Sequence, residues 1–363
     1  MKKATGLTLV FAVVVAFGAT FAFAQGSGSS NSTPDASSFL AGVVTDTGGI
    51  DDRSFNASAW QGLEDAKSAY GINIQYLQST NQSDYQPNIQ AFIQKDAGLI
   101  VTVGFLMGDA TKAAAAANPD QKFAIVDYTY DPAISNVLGL IYNTDQAAFL
   151  GGYLAAAMSK SGSVGTFGGM KIPTVTIYMD GFVAGVRYYN QQNGASVKVL
   201  GWNPEKSEGT FTNDFTNQAK GKTVTEALMN QGADIVFPVA GSVGLGSAAA
   251  VQQHDASSPN DPVYMEWVDT DGCVSAPQYC SLMLTSVTKG IAASVKAAVG
   301  EVLDGTFKGG NYVGTLENGG TGLAPFHDFE SKIPDSVKSD LQTIKQGIID
   351  GKISVDPKDY PAS

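Results

Sequence analysis

Charged side chains stand directly after several apolar runs of the sequence, at places where a small ligand could be bound. Asp46, Asp127 and Asp269 each follow such a run, and Lys289 follows the segment 285–287. If the runs are strands of parallel sheets, their carboxyl ends meet at one cleft, and we expect all four groups there. Three carboxylates and an ammonium suit a ligand with several hydroxyl or amine donors. Taken alone, each Asp is more often a turn or helix-capping residue, so only their shared position favours a site.

Two phenylalanines, Phe55 and Phe182, are predicted near the starts of helices that face this cleft. Their rings could stack on a flat ligand ring, and stacking on a nucleobase contributes roughly 1–3 kcal/mol. Both could instead belong to the hydrophobic core, and their spacing does not separate the two interpretations. Asp51 and Asp52, just before Phe55, are predicted as helix-cap and surface residues.

From residue 39 onward, apolar runs alternate with helical patterns and Gly-rich turns, which predicts an α/β fold. Continuous apolar strands between helices indicate parallel sheets that are covered on both faces. Two such series follow one another, so we predict two doubly wound lobes, with the last strand returning the chain to the first lobe. The predicted strands are 39–44, 72–77, 99–103, 123–126, 163–167, 197–200, 233–237, 263–268 and 282–285, and the predicted helices are 58–70, 89–95, 110–117, 147–159 and 181–193.

The first 24 residues are typical of a secretory signal peptide. Two lysines precede an apolar stretch, and Ala22-Phe23-Ala24 is the small–x–small pattern at which such peptides are cleaved. An uncleaved membrane anchor is the alternative. Residues 25–38 are rich in Ser, Gly and Asn and are predicted to be a flexible linker. We therefore expect an exported protein, periplasmic or extracellular, with cell-surface association possible; the cleavage region carries no Cys that would support a lipid anchor.

Length, charge and cysteine content narrow the class of protein further. A chain of 363 residues exceeds what one hydrophobic core usually organises, which agrees with two lobes. The formal net charge of −12 argues against a nucleic-acid partner, which would need a basic surface. Cys273 and Cys280 are predicted to form a small disulfide loop in an oxidising compartment. No third Cys or His lies nearby, so a zinc site is not expected.

An ordered series of motifs extends from residue 39 to beyond Lys289 and resembles one known family. Gly48-Gly-Ile-Asp-Asp-Arg-Ser-Phe-Asn56 is similar to the signature of the basic membrane protein family, a group of ABC-transporter substrate-binding proteins. Its best understood members are purine nucleoside receptors. No single motif is decisive, but their order along the chain is specific. The remaining motifs lie at 58–62, 104–109, 122–127, 136–139, 149–155, 168–173, 181–186, 232–237, 240–246, 268–271 and 284–289.

The resemblance implies a type I periplasmic-binding-protein fold, with two Rossmann-like lobes joined by a hinge and a purine nucleoside between them. It implies that residues 39–143 and 271–308 form the N-terminal lobe, and residues 144–270 and 309–363 the C-terminal lobe. ABC permease subunits would be the partners of a protein that usually acts as a monomer. The implied binding residues are Phe55 and Phe182 as a base sandwich, Asn56 and Asp127 at the base, Asp269 and Lys289 at the ribose, Asp46 at a further binding position, and Gly241, which would allow a close backbone approach.

The sequence also departs from the family pattern and leaves other functions open. The segment 202–217 is longer and more polar than usual, which puts the exact ligand in doubt. A sugar- or signal-molecule-binding protein of the same fold is one alternative, and a nucleoside hydrolase or dehydrogenase is another. His254 and His327 fall in no recognised catalytic motif, and the glycine-rich segment 241–246 is not G-x-G-x-x-G. We therefore expect no catalytic residues, no cofactor and no metal.

Overall fold

The computed structural model describes residues 36–362; the predicted signal peptide and nearly all of the predicted linker lie outside them. Most of its strands are short apolar runs, as the sequence predicts, and the runs 99–103 and 123–126 form strands with the predicted bounds. In chain order the strands are β1 (Leu40–Val44), β2 (Asn73–Leu77), β3 (Leu99–Val103), β4 (Phe123–Val126), β5 (Val137–Tyr142), β6 (Ser163–Gly168), β7 (Lys198–Leu200), β8 (Trp202–Asn203), β9 (Glu208–Gly209), β10 (Ile235–Val239), β11 (Tyr264–Asp269), β12 (Met283–Lys289), β13 (Gly310–Gly314) and β14 (Thr321–Leu323).

Two six-stranded sheets organise these strands, and each sheet is the core of one lobe. The first sheet has the order β13-β5-β4-β3-β1-β2, and the second has the order β14-β12-β11-β10-β6-β7. The two orders match position by position, with β1 equivalent to β6 and β4 equivalent to β11. Ligands of such sheets bind outside the carboxyl ends of the strands, so the matching ends of the two sheets are where a site is expected.

Helices cover both faces of each sheet and explain the continuous apolar strands. All five residues of β3 are buried; Val101 and Val103 pack into one hydrophobic cluster, and Ile100 packs into the cluster on the opposite face. This is the alternation expected of a doubly covered strand. The helices are α1 (Phe55–Tyr70), α2 (Tyr85–Ile93), α3 (Gly108–Ala117), α4 (Thr144–Met158), α5 (Pro173–Asn193), α6 (Gln218–Asn230), α7 (Val243–Ser257), α8 (Gly272–Ser275), α9 (Ile291–Leu303) and α10 (Asp335–Ile349).

The predicted return strand was wrong. The strand β12 pairs with β11 and β14 in the second sheet, and it does not re-enter the first sheet. The chain returns one element later, through α9, which packs closely against α1 at Gly62. The strand β13 then completes the first sheet beside β5. Residues 283–289 thus belong to the second lobe and 310–314 to the first, the reverse of the predicted boundaries, because an apolar strand buried on both faces fits either sheet.

Three chain segments cross between the lobes, and they lie side by side, as in a hinge. They follow β5, β12 and β13. The amide of Asn143 donates to the carbonyl of Gly314 at 2.8 Å, and the amide of Gly290 donates to the carbonyl of Gly320 at 2.8 Å. Each crossing is thus hydrogen-bonded to another, which ties the lobes together along one side.

Two further features follow from the structure. Cys273 and Cys280 are joined by a disulfide, with 4.5 Å between their Cα atoms, as the sequence predicted. Within residues 36–362, no helix is both long enough and apolar enough to cross a membrane.

Candidate functional site

A cavity lies between the two lobes, at the carboxyl ends of their strands. Small-molecule sites are commonly found at such interfaces between lobes. Seven of the eight predicted binding residues line it, and Phe182 does not. The first lobe contributes Asp46, Gly48, Asp52, Phe55, Asn56, Gly104, Phe105, Leu106 and Asp127, and the second lobe contributes Ile172, Thr174, Val175, Tyr178, Phe215, Val239, Ala240, Gly241, Val268, Asp269 and Lys289.

A buried ion pair joins the lobes inside this cavity. The ammonium of Lys289, at the end of β12, lies 2.8 Å from Oδ2 of Asp127 and 3.6 Å from Oδ1 of Asp269. Burial by itself lowers the pKa of Lys289, but the two carboxylates outweigh burial, and the pKa is raised. The side chain is therefore a cation at neutral pH, and it is held by one carboxylate from each lobe.

Asp127 and Asp269 occupy equivalent places in the two sheets and share an unusual backbone conformation. Asp127 follows β4 with φ 65°, and Asp269 ends β11 with φ 67°. The left-handed region is disfavoured for residues with a Cβ, and it is tolerated best by Asn and Asp. Residues with such a strained backbone occur often at binding sites, and they persist only where the surrounding structure holds them in place. In this protein, the left-handed conformation directs the carboxylates at both strand ends into the same cavity.

Aromatic rings surround the ammonium group. Its Nζ lies 5.0 Å from the centre of the Phe55 ring, 5.2 Å from that of Tyr178 and 5.7 Å from that of Tyr142. The hydroxyl of Tyr178 donates to Oδ1 of Asp269 at 2.8 Å. Burial and the neighbouring Asp269 raise the pKa of Tyr178 well above its usual value, so the phenol stays a donor. Tyr178 was not among the predicted site residues.

A second polar group fixes Asp46 at the end of β1. Its Oδ1 accepts from the amide of Gly48 at 2.8 Å and from Nδ2 of Asn56 at 2.8 Å. Oδ1 of Asn56 accepts from the backbone amide of Asp46, and Nδ2 also donates to Asp52 at 3.0 Å. The amide of Asn56 is thus committed to the protein, whereas Oδ2 of Asp46 accepts no hydrogen bond from any described residue. Burial raises the pKa of Asp46 in spite of these bonds.

The predicted role of Phe182 was wrong. Its side chain is completely buried, and its ring lies 5.4 Å from that of Phe237 in the core of the second lobe. The helix α5 begins at Pro173, earlier than the sequence pattern suggested, so Phe182 is about 13 Å along it at 1.5 Å per residue. The end of α5 nearest the cavity carries Tyr178 instead. Pro173 is the signal that could have located this helix start, because proline is common in the first turn.

The polar segment 202–217 supplies another aromatic side chain that the sequence did not single out. It forms the short hairpin β8–β9 and then a loop from which Phe215 reaches the cavity. The carbonyl of Phe215 accepts from the hydroxyl of Ser242, next to Gly241. Gly241 has φ 55°, and a Cβ built there would meet nothing closer than 3.7 Å, so backbone conformation and not space favours glycine.

A group of possible metal ligands lies outside the cavity wall. Oδ2 of Asp271 is 2.7 Å from Nε2 of His327, and the sulfur of Cys273 lies within 4.8 Å of the other ligand atoms. That sulfur is committed to the disulfide, so it offers no thiolate. The cluster therefore provides no more than two ligand side chains.

Comparison with known proteins identifies the family. A model of the family described as ABC transporter substrate-binding protein PnrA-like matches residues 39–358. The CD4+ T-cell-stimulating antigen of Listeria innocua is 32% identical over 375 residues, covering 99% of this chain and 100% of that protein. The ABC transporter nucleoside-binding protein BmpA of Lactococcus lactis is 33% identical over 330 residues, covering 88% of this chain and 89% of that protein. A solute-binding protein of an ABC transporter from Aeropyrum pernix superposes with a TM-score of 0.78 at 25% identity, covering 87% of this chain and 92% of that one.

Proposed function

The chain belongs to the family of PnrA-like ABC transporter substrate-binding proteins, and we propose that it binds a nucleoside in the cavity between its lobes. The observation that carries the proposal is the combination of aromatic side chains from both lobes with carboxylate oxygens that accept no hydrogen bond from any described residue. A nucleoside has a flat base, which aromatic side chains can contact, and a ribose with vicinal hydroxyls, which carboxylate oxygens can accept from. The relative from Lactococcus lactis bears the name of a nucleoside-binding protein, which supports the same conclusion.

The side chains divide into two groups by the part of a nucleoside that they suit. Phe55 and Phe105 from the first lobe and Phe215 from the second offer ring faces or edges to the base. A purine is favoured over a pyrimidine because its two fused rings present more area to these side chains. For the ribose, Lys289 is a donor, and Oδ1 of Asp127 is an acceptor that no described donor occupies.

Asp46 and Asp269 would complete the site in different ways. The free Oδ2 of Asp46 suits an amine or hydroxyl donor of the ligand. Oδ1 of Asp269 accepts from Tyr178, and Oδ2 lies within hydrogen-bond distance of the hydroxyl of Ser54, so only the remaining lone pairs of Asp269 are available to the ribose. Asn56 acts through Asp46, which it orients.

In this proposal the protein is a receptor and not an enzyme. It is exported, acts as a monomer outside the cytoplasm and delivers its ligand to the permease subunits of an ABC importer. The formal net charge of −12 disfavours nucleic acid as a partner. A sugar or a small signalling molecule is the second candidate ligand, because aromatic rings also pack on sugar faces and the same carboxylates accept from sugar hydroxyls.

Calorimetric titration tests the proposal. Mature protein is unfolded, freed of bound small molecules, refolded and titrated with adenosine, guanosine, inosine, cytidine, uridine and ribose. We expect tight binding of at least one purine nucleoside. Binding of ribose or another sugar, with no response to any nucleoside, would exclude the proposed ligand and favour the second candidate.

A matched pair of variants tests whether the ligand binds in the cavity. Asp127→Asn removes one charge from the ion pair with Lys289 and weakens an acceptor, so we expect the affinity to fall at least about tenfold. Asp120→Asn makes the same change at an exposed position of the same lobe and should leave the affinity unaltered. Equal affinities of the two variants would place the ligand elsewhere.

A further inference from the structure

A short segment of the first lobe, Arg53–Ser54, is hydrogen-bonded to the second lobe at the end of β11. The hydroxyl of Ser54 lies 2.8 Å from Oδ2 of Asp269 and 3.0 Å from the carbonyl of Val268. It has one proton, so it donates to one of these acceptors at a time. The carbonyl of Arg53 accepts from Nε1 of Trp267 at 3.3 Å. These hydrogen bonds join the two lobes at a place other than the three chain crossings.

The hydroxyl of Ser54 is available for this contact because another residue caps the helix. Ser54 is the N-cap residue of α1, where a serine normally accepts from the first amides of the helix, yet its side chain makes no capping bond. Asp52 takes that place: its carboxylate accepts from the amides of Asn56 at 2.7 Å and Ala57 at 3.0 Å. Asp52 therefore caps the helix in place of Ser54, and the buried hydroxyl of Ser54 contacts the second lobe instead.

The backbone of Arg53 is shaped for the same contact. Its φ of 59° is in the left-handed region, which is unfavourable for a residue with a long side chain. Its carbonyl also lies 3.3 Å from the hydroxyl of Thr270, a second donor from the far lobe. Thr270 in turn contacts Ser275, which lies within the loop closed by the Cys273–Cys280 disulfide. The strained carbonyl thus meets two donors, and one of them stands beside a cross-linked loop.

Asp269 connects this segment to the binding cavity. Tyr178 and Lys289 hold one of its oxygens from the second lobe, and Ser54 reaches the other from the first. We propose that Arg53 and Ser54 form an interlobe latch, in which Ser54 is a positioning residue that holds Asp269 and retards reopening of the lobes around a bound ligand. The latch rests on the proposed function, since it requires a ligand that is enclosed by closure.

The experiment compares Ser54→Ala with two controls. Ser54→Thr keeps the hydroxyl, and Ser58→Ala removes a hydroxyl one turn further along α1 that has no hydrogen bond with a described residue of the second lobe. Release of adenosine, guanosine or inosine, whichever the wild type binds, is followed by stopped-flow fluorescence. Loss of a hydrogen bond to a charged acceptor predicts that release accelerates about tenfold in Ser54→Ala. The association rate should be nearly unchanged, Ser54→Thr should retain slow release, and Ser58→Ala should release the ligand more slowly than Ser54→Ala.

A second measurement does not depend on the identity of the ligand. Spin labels at Lys112→Cys on α3 and Thr223→Cys on α6, both exposed, report the distance between the lobes. We expect a larger open population in Ser54→Ala than in Ser58→Ala. Equal release rates together with equal distance distributions would overturn the latch. If no nucleoside binds the wild type, the proposed function fails, and the distance distributions alone decide whether the latch exists.

Discussion

Glu266 provides a quantitative test of the structure, because it is an ionisable side chain in the core without a partner. It lies on β11, its side chain is fully buried, and neither carboxyl oxygen has a hydrogen-bond partner among the described residues. Its nearest neighbours include α4 at Gly151, where an added Cβ would lie 2.6 Å from Oε2. An ionised carboxylate in such a place costs a large free energy, so the proton is retained. Burial raises the pKa of Glu266 from 4.5 to about 8.

The sign and size of the effect on stability follow from that pKa. A carboxyl with a raised pKa binds its proton more tightly in the folded protein than in the unfolded chain. The contribution of Glu266 to stability is therefore greatest below pH 4.5 and is lost as the pH rises toward about 8. The slope is about 1.4 kcal/mol per pH unit, so Glu266 alone should lower the free energy of unfolding by about 3 kcal/mol between about pH 5 and about pH 7.5.

Urea denaturation of the wild type and of Glu266→Gln at both pH values measures this contribution. The amide is neutral at each pH, so the variant should lack the decrease that Glu266 causes. Asp52, whose pKa burial raises to about 7, titrates in the same range in both proteins, and its effect cancels in the comparison. Glu64→Gln, at an exposed position of α1, is the control and should follow the wild type. If the free energy of unfolding changed equally with pH in the wild type and in Glu266→Gln, the reasoning would be refuted, and this carboxyl would have a partner in the folded protein.

Three further outcomes are expected. Phe182→Ala should reduce the free energy of unfolding by about 3–5 kcal/mol, as measured by denaturation, because it empties a core position; a stable variant with impaired ligand binding would restore the predicted stacking role. Tyr178→Phe should leave the fold stable but weaken nucleoside affinity about tenfold in calorimetry, since Asp269 loses a donor; unchanged affinity would remove Tyr178 from the site. Replacing Cys273 and Cys280 by Ser should lower the free energy of unfolding by about 2.5 kcal/mol, the loss expected for so short a loop, and an equal denaturation midpoint with and without the disulfide would contradict this.

The charged residues at the strand ends that line the cavity could be predicted, because the sequence pattern that identifies them is local. A run of apolar residues followed by an Asp identifies both the strand and its carboxyl end, and so Asp46, Asp127 and Asp269 were found together. Tyr178 and Phe215 could not be found in this way. Tyr178 lies within an amphipathic helix where most aromatic side chains are core residues, and Phe215 lies in a polar loop whose path depends on the hairpin before it.

The sequence by itself determined the α/β class, the two series of strands and helices, the disulfide pair and the charged residues at the strand ends. Each depends on residues that are close in the chain, where periodicity and turn chemistry act. Only the tertiary structure decided that β12 joins the second sheet, that Phe182 belongs to the core and that Ser54 contacts Asp269. These depend on packing between segments far apart in sequence: a buried strand fits two sheets equally well, and a hydroxyl bonds to whichever acceptor the closed lobes bring within reach.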